Sequence, residues 1–405
     1  MGDIGKRTPD LRLSEFEGEW VERPLGESFS ERVQSDENGE LLSVTVRTGV
    51  RKFSEIGRHN TSNADKSKYK LVEVGDIAYN SMRMWQGASG RSPYRGIVSP
   101  AYTVLAPKAG VESGFFARLF KTPEMIATFE KNSQGLTSDT WNLKYPALSK
   151  IEAHMPELSE QEAISAMFDN IERLIDASEV RHEALLHLRQ TMLVKMFPQG
   201  DAREPEIRFD GFEGEWGRCQ LSDAANDFKY GLNSAAKAYD RETKYLRITD
   251  IGPRPGFVFS DGVTSPSASP DTHSEFLLEN GDIVVARTGA TTGRSLLYRS
   301  SMGRTVWAGF LIRIKPAYTV DSTFLYNSLL TDQYWTYVKQ TSQRSGQPGL
   351  NARELAGAPL LIPSLEEQRA IGSYFRNLDE LIEAESTKVE KLRNLKAALF
   401  EKMFV

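Results

Sequence analysis

Two long stretches of this 405-residue chain contain no carboxylate. Between Asp76 and Glu112 lie 35 residues free of Asp and Glu, carrying Arg83, Arg91, Arg95 and Lys108. Between Asp282 and Asp321 lie 38 more, carrying Arg287, Arg294, Arg299, Arg304, Arg313 and Lys315. Across the chain 55 of 405 residues are acidic, so two such gaps at matching positions indicate a selected surface. Excluding carboxylates while keeping Arg, Ser, Thr, Asn, Gln and Gly suits a surface that faces phosphates. The segment 80–96 adds Asn80, Trp85, Gln86 and Tyr94, which can bond to or stack on bases, and 286–295 sets Thr291 beside Arg287 and Arg294. Two further loops are rich in amides and hydroxyls: 132–143 with Gln134, Thr140 and Asn142, and 340–351 with Gln343, Arg344, Gln347 and Asn351. Asn and Gln pair with adenine edges, and Arg with guanine or phosphate. These residues, with Arg304, form the candidate nucleic-acid-contacting set. The alternative is that all four segments are ordinary surface hairpins and loops. The doubling of the pattern favours nucleic acid.

Catalytic readings fail. GATTGRS (289–295) lacks the spacing and the lysine of a phosphate-binding loop. No Asn-Pro-Pro-aromatic or Asp-Pro-Pro-Tyr segment exists, so no amino-methyltransferase centre is visible. His182 and His187 lie five apart on a helical stretch, out of register for sharing a metal, and are expected to face solvent. His59, His154 and His273 have no companions at metal-ligand spacing, and the Pro9-Asp10 pair has no downstream acidic-x-Lys partner. The single cysteine, Cys219, excludes a disulfide framework and a multi-cysteine zinc site and suits a reducing cytoplasm. No apolar run reaches transmembrane length, and the polar start MGDIGKRTPD does not read as a signal peptide. The chain is therefore expected to be non-catalytic and cytoplasmic, with no cofactor or metal of its own.

The elements that must position the four loops occur twice. Residues 156–197 return as 363–404 with 17 of 42 positions identical at an offset of 207. Apolar residues recur there at seven-residue steps (Ile164, Ile171, Leu185, Met192; Ile371, Leu378, Leu392, Leu399). A second line (Leu174, Leu188; Leu381, Leu395) falls three residues on, which is coiled-coil spacing. The pattern predicts two rods of about 60 Å that pack on each other. Ser159/Glu162 and Ser364/Glu367 read as capping boxes at their starts. An entry motif also repeats: PDLRLSEFEGEW (9–20) and PEIRFDGFEGEW (205–216) share seven of twelve positions, with Phe16/Phe212 and Trp20/Trp216 expected in a core. LVEVGDI (71–77) returns as LLENGDI (277–283), a turn feeding a strand.

Strands are expected over 41–50, 97–107, 244–251, 282–287 and 305–316, and helices over 113–132 and 322–340. The result is an α+β chain with an internal repeat, 1–155 and 205–361 being mixed α/β units and 156–204 and 362–405 the long helices, the first followed by a polar linker. The whole chain carries a net charge of −5. Its acidity sits mainly in 156–204, while the globular segments are close to neutral. Framework positions match between the copies and loop residues mostly do not, which points to duplication followed by divergence of the working surfaces.

The paired helix starts (Leu158, Glu160, Gln161, Ile164; Leu365, Glu367, Gln368, Ile371), alternating with two divergent units, strongly resemble the specificity subunits of type I restriction–modification systems. GDIVVARTGATTGRS and GIVSPAYTVLAP are similar to their target-recognition segments. The resemblance implies a pseudo-twofold molecule in which an antiparallel helix pair holds two target recognition domains apart. Each domain would read one half of a bipartite, asymmetric site in double-stranded DNA, with helix length setting the spacer. It further implies two DNA methyltransferase subunits that use S-adenosylmethionine to modify adenine N6, and restriction subunits that hydrolyse ATP with Mg; those cofactors belong to the partners. Two rivals stay open here: a specificity subunit for a type IIB-like enzyme, and a tandem coiled-coil adaptor that binds proteins and not DNA.

Overall fold

The computed structural model describes residues 7–57, 59, 62–136, 140–252, 262–344 and 346–405. The chain forms two compact units, Met1–Ala177 with Lys388–Val405, and Ser178–Thr387. The boundary falls inside both long helices, so each unit owns half of each.

The first unit is built on a four-stranded antiparallel sheet in the order Phe29–Glu31, Tyr102–Pro107, Ile77–Asn80, Ser89–Arg91. The second repeats that order with Ala225–Tyr230, Leu311–Pro316, Ile283–Ala286 and Ser295–Leu297. In both, the Gly-Asp turn feeds the third strand of that order, as its sequence predicts. Gly75 and Gly281 hold φ of +91° and +93°, the left-handed geometry that glycine tolerates. The following aspartates lock the turns: Asp76 Oδ2 accepts from the Glu73 N–H, and Asp282 Oδ2 from the Glu279 N–H, each at 2.8 Å.

Several expected elements are broken, each for a local reason. The stretch 41–50 is the hairpin Leu42–Thr45/Gly49–Lys52, turning at Gly49 with φ of +62°. Residues 97–107 split around Pro100 into Gly96–Val98 and Tyr102–Pro107, since proline cannot donate to a ladder. The helix expected over 113–132 is Ser113–Leu119 and Pro123–Asn132, because proline at a first helical position starts a new helix and Thr122 caps it. Its counterpart splits without proline into Ser322–Ser328 and Asp332–Thr341, where the Thr331 hydroxyl accepts from the Tyr334 N–H. Only Lys244–Leu246 of 244–251 is a strand, and Ala308-Gly309-Phe310 interrupts 305–316.

The long helices run Leu158–Lys195 and Leu365–Lys402. Within the first unit, Phe168 meets Phe400 and Phe404, and Lys396 Nζ lies 2.7 Å from Glu172. Within the second, Arg189 pairs with Asp379 at 2.5 Å and donates to Asn327 at 3.0 Å. In each unit the partner residue number falls as the first rises, so the two segments run antiparallel there. The principal apolar line is buried in the first half of each helix, at Ile164, Ile171, Ile371 and Leu378, and only half-buried at Leu185, Met192, Leu392 and Leu399. The second line does not; Leu174 is 50% exposed, Leu381 54%, and Leu188 and Leu395 are likewise on the surface. His182, expected in solvent, is half-buried, with Nδ1 3.3 Å from the Ile382 carbonyl.

The repeated motifs meet at the helix starts. Glu160 receives the Arg12 guanidinium in two bonds of 2.8 and 2.7 Å and the Trp20 indole N–H at 3.4 Å. Glu367 receives Arg208 in two bonds of 2.8 Å. Gln161 donates to the Pro156 carbonyl and accepts from the Glu112 N–H; Gln368 does the same with Pro363 and Asp321. The Glu-Gln signature therefore ties the entry motif and the helix following the sheet to the rod. This corrects the capping boxes. Ser159 lies inside the first turn, whereas Ser364 does cap, accepting from the Glu367 N–H at 3.3 Å, while the Glu367 carboxylate turns to Arg208. Trp20 and Trp216 are buried as expected, but Phe16 and Phe212 are only half-buried. The linker after Lys195 is tied back by Lys195–Glu206, by Arg203–Glu215 and by the Trp216 N–H donating to Arg203 O.

Candidate nucleic-acid interface

In the first unit the third strand of the sheet, Ile77–Asn80, runs out into the loop 81–88, and the segment 132–143 closes against it. The Leu143 N–H donates to Ser81 O at 2.9 Å, and Trp85 meets Trp141 edge to face at 5.2 Å. Gln134 and Asn142 bond each other's backbones, closing the second loop on itself. Arg83, Gln86, Gln134 and Thr140 are exposed on this pair, Trp85 and Asn142 half-buried. Residues 137–139 of this segment lie outside the described residues. Gly87, at φ +79°, seats the first loop beneath Lys121, whose ammonium donates to the Gly87 and Val46 carbonyls.

Burial pushes the Lys121 ammonium down to about 8. Its folded pKa lies below its unfolded one, so the unfolded chain binds the extra proton and this group's contribution to stability grows as pH rises from about 8 towards 10.5. Thermal melts between pH 7.5 and 9.5 should show a rise that is flatter in Lys121→Met; parallel curves would remove Lys121 as its source.

The second unit repeats the arrangement with different residues. Loop 287–294 leaves its strand and pairs with 346–350: Leu350 N–H donates to Arg287 O at 2.8 Å, and Gly289 N–H to Pro348 O at 3.0 Å. Gly293, at φ +87°, takes the place of Gly87, its carbonyl held by the Tyr334 hydroxyl at 3.1 Å. The Arg287 guanidinium lies 4.7 Å from the centre of the Tyr230 ring, and among the described residues neither its Nε nor the Thr291 hydroxyl has a hydrogen-bond partner. Arg294 is half-buried, and Gln343 and Gln347 are exposed on the same loop pair.

The structure does not gather the whole sequence-derived set. Arg91 points to the long helix, with Nη1 3.5 Å from Glu112 and 3.6 Å from Asp169. Arg95 is held by Glu73 and Asp36, both at 3.2 Å, and Tyr94 lies under the Lys52 ammonium beside the core of the small hairpin. Arg304 donates to Thr243 Oγ1 beside a separate strand pair. Arg344 and Asn351 are on the right loop but are engaged with Glu354, the first as an ion pair and the second as a helix cap. Sequence reasoning missed Trp141, Tyr230 and Phe310, which is 60% exposed and whose carbonyl accepts from the Arg287 N–H. An aromatic within the amide-rich loop 132–143 was the available signal for Trp141; nothing local marks the other two. Among the described residues no group of three His, Cys, Asp or Glu could hold a metal, and no helix is long and apolar enough to cross a membrane.

Each unit thus offers two backbone-joined loops at one end of its central sheet, carrying guanidinium, amide and aromatic groups and little acid. Residues 255–394 match the model of the family described as the Type I restriction modification DNA specificity domain. Two curated relatives match over most of the chain. The type I restriction enzyme MjaVIII specificity subunit of Methanocaldococcus jannaschii is 21% identical over 354 residues, 82% of this chain and 80% of that protein. The EcoKI specificity subunit of Escherichia coli K12 is 22% identical over 319 residues, 74% of this chain and 67% of that one. Among solved structures, the S subunit of a type I restriction–modification system from M. genitalium superimposes with a TM-score of 0.59 at 16% identity, covering 98% of this chain and 99% of that one. The resemblance carried by the two helix starts is to the same kind of protein that these matches name.

Proposed function

We propose that this chain is the sequence-specific DNA-binding subunit of a type I restriction–modification complex, each unit reading one half of a bipartite site. The observation that carries the reading is the doubled loop pair: one scaffold, used twice, presents Arg83, Trp85, Gln86, Gln134 and Asn142 in one unit and Arg287, Thr291, Arg294, Gln343 and Gln347 in the other. Phosphate and base recognition needs such groups, and different groups on equal scaffolds predict two different half-sites. Trp85 and the Arg287–Tyr230 stack add flat surfaces for a base or a sugar edge. The chain itself performs no chemistry in this reading. Two methyltransferase subunits carrying S-adenosylmethionine would flip and methylate adenine, and ATP-dependent restriction subunits would complete the nuclease. The exposed leucines of both long helices are apolar surface available to those partners.

Mapping methylated adenines in DNA from cells that express this chain with its methyltransferase tests the proposal. Two unlike half-sites separated by a fixed unspecified spacer are expected; methylation without sequence preference, or a single continuous site, would overturn it. The helices are proposed to set the spacer. Deleting one heptad from each, 178–184 and 385–391, removes both partners of the Arg181–Glu385 pair together. The same mapping should then return a shorter spacer with both half-sites unchanged, and altered half-sites would end the ruler interpretation.

A further inference from the structure

The duplicated plan supplies an internal comparison for a cavity in the second unit. In the first unit, Arg91 lies between Glu112 and Asp169, and Asp169 also accepts from Arg118 at 2.5 Å. Cation and carboxylates there neutralise one another. The sheet register and the helix offset place Leu297, Asp321, Arg376 and Asn327 at the corresponding positions of the second unit. The arginine of the sheet has become leucine, and the aspartate of the long helix has become arginine. Asn327 is taken by Arg189.

What results is a cavity of about 190 Å³ lined by Asn280, Tyr298, Arg299, Thr323 and Arg376. Arg376 Nη2 is 3.5 Å from Thr323 Oγ1 and only within 4.0 Å of Asp321, while its Nε is buried with no partner. Asp321 is already committed to the Phe324 N–H at 2.9 Å. Arg299, half-buried at the rim, forms no ion pair among the described residues. Arg299 and the 40%-exposed Arg376 therefore line a partly enclosed space with the Thr323 hydroxyl and the Asn280 amide, and the one carboxylate within 4.0 Å of Arg376 is occupied. A buried guanidinium N–H without an acceptor is costly, and an oxyanion supplies the missing acceptor. The cavity lies by Gly281, at the start of the strand whose other end carries Arg287, so it is separate from the reading loops.

We infer that the second unit binds a phosphate-class oxyanion between Arg299 and Arg376, where the first unit instead holds its own ion pairs. The inference does not depend on the DNA-reading proposal. Titration of the full chain with inorganic phosphate, followed by ³¹P NMR and thermal melting at constant ionic strength against chloride, tests it. Saturable binding and a phosphate-specific rise in Tm are expected. Arg299→Gln and Arg376→Gln should each weaken binding by about ten-fold or more. Arg299 holds no ion pair among the described residues, so its variant is expected to fold as the parent does. Equal melting in phosphate and chloride, or undiminished phosphate binding by Arg299→Gln, overturns the site. If binding is seen, a duplex oligonucleotide that displaces the phosphate identifies the DNA backbone as the natural source; phosphate retained against duplex identifies a free anion.

Discussion

Glu367→Ala is expected to destabilise the second unit by about 3–5 kcal/mol, because it leaves the Arg208 guanidinium with an uncompensated charge at a mostly buried place. The Glu367 side chain is 2% exposed and Arg208 16%, and their two bonds are 2.8 Å each. Arg208 also reaches the Gly214 and Glu213 carbonyls, so the loss would loosen the whole entry motif. For a unit of this size the change corresponds to a fall in melting temperature of roughly 10 °C. Replacing both partners with apolar residues, Arg208→Met with Glu367→Leu, should recover much of the loss. A double variant no better than Glu367→Ala would mean that packing, and not the stranded charge, caused the damage. Glu160→Ala should behave similarly in the first unit, with the Trp20 indole N–H losing its acceptor as well.

Loss of DNA recognition is the second large effect. In the assembled methyltransferase complex, Trp85→Ala and Arg287→Ala are each expected to weaken binding to the cognate duplex by about 1–3 kcal/mol, a factor of roughly 5 to 150. Trp85 is held by Trp141 and by its indole bond to Met82 O at 3.1 Å, so truncation removes a pre-oriented ring. Arg287 is oriented by Tyr230 with an unused Nε. Arg95→Ala is the matched control: Arg95 lies in the same acid-free stretch but is occupied by Glu73 and Asp36, and its loss should leave affinity unchanged. Anisotropy titrations at two salt concentrations measure all three. A loss in Arg95→Ala equal to that in Arg287→Ala would show that overall charge, and not the joined loops, governs binding.

The framework of this protein was largely legible because it is written twice. Both rods, the entry tryptophans and the Gly-Asp turns stand where repetition marked them, within a few residues. The reading surface was legible only in part. An acid-free run reports which residues lack carboxylates nearby in sequence, yet Arg91 finds Glu112 and Asp169 across the fold, and Arg95 finds Asp36. The same blindness hid Tyr230, which reaches Arg287 from a strand far upstream, and Phe310. The second heptad line misled for a different reason. Seven-residue spacing shows that Leu174 shares a face with Leu188, and Leu381 with Leu395, but not whether this chain covers those faces.

The joined loops also bear on how such a protein can acquire a new target. Each proposed reading surface is assembled from two segments distant in sequence, stitched by Leu143 to Ser81 in one unit and by Leu350 to Arg287 in the other. A graft that carries only the first segment would set a foreign loop against a partner shaped for another, without its Trp85–Trp141 contact or its backbone seam. An exchangeable block in the first unit therefore spans at least the Gly-Asp turn through the amide-rich loop. In the second it must reach back to Tyr230, which orients Arg287 and whose hydroxyl accepts from the Ala352 N–H at 2.9 Å; the Glu-Gln clamp beyond each block serves as a common socket.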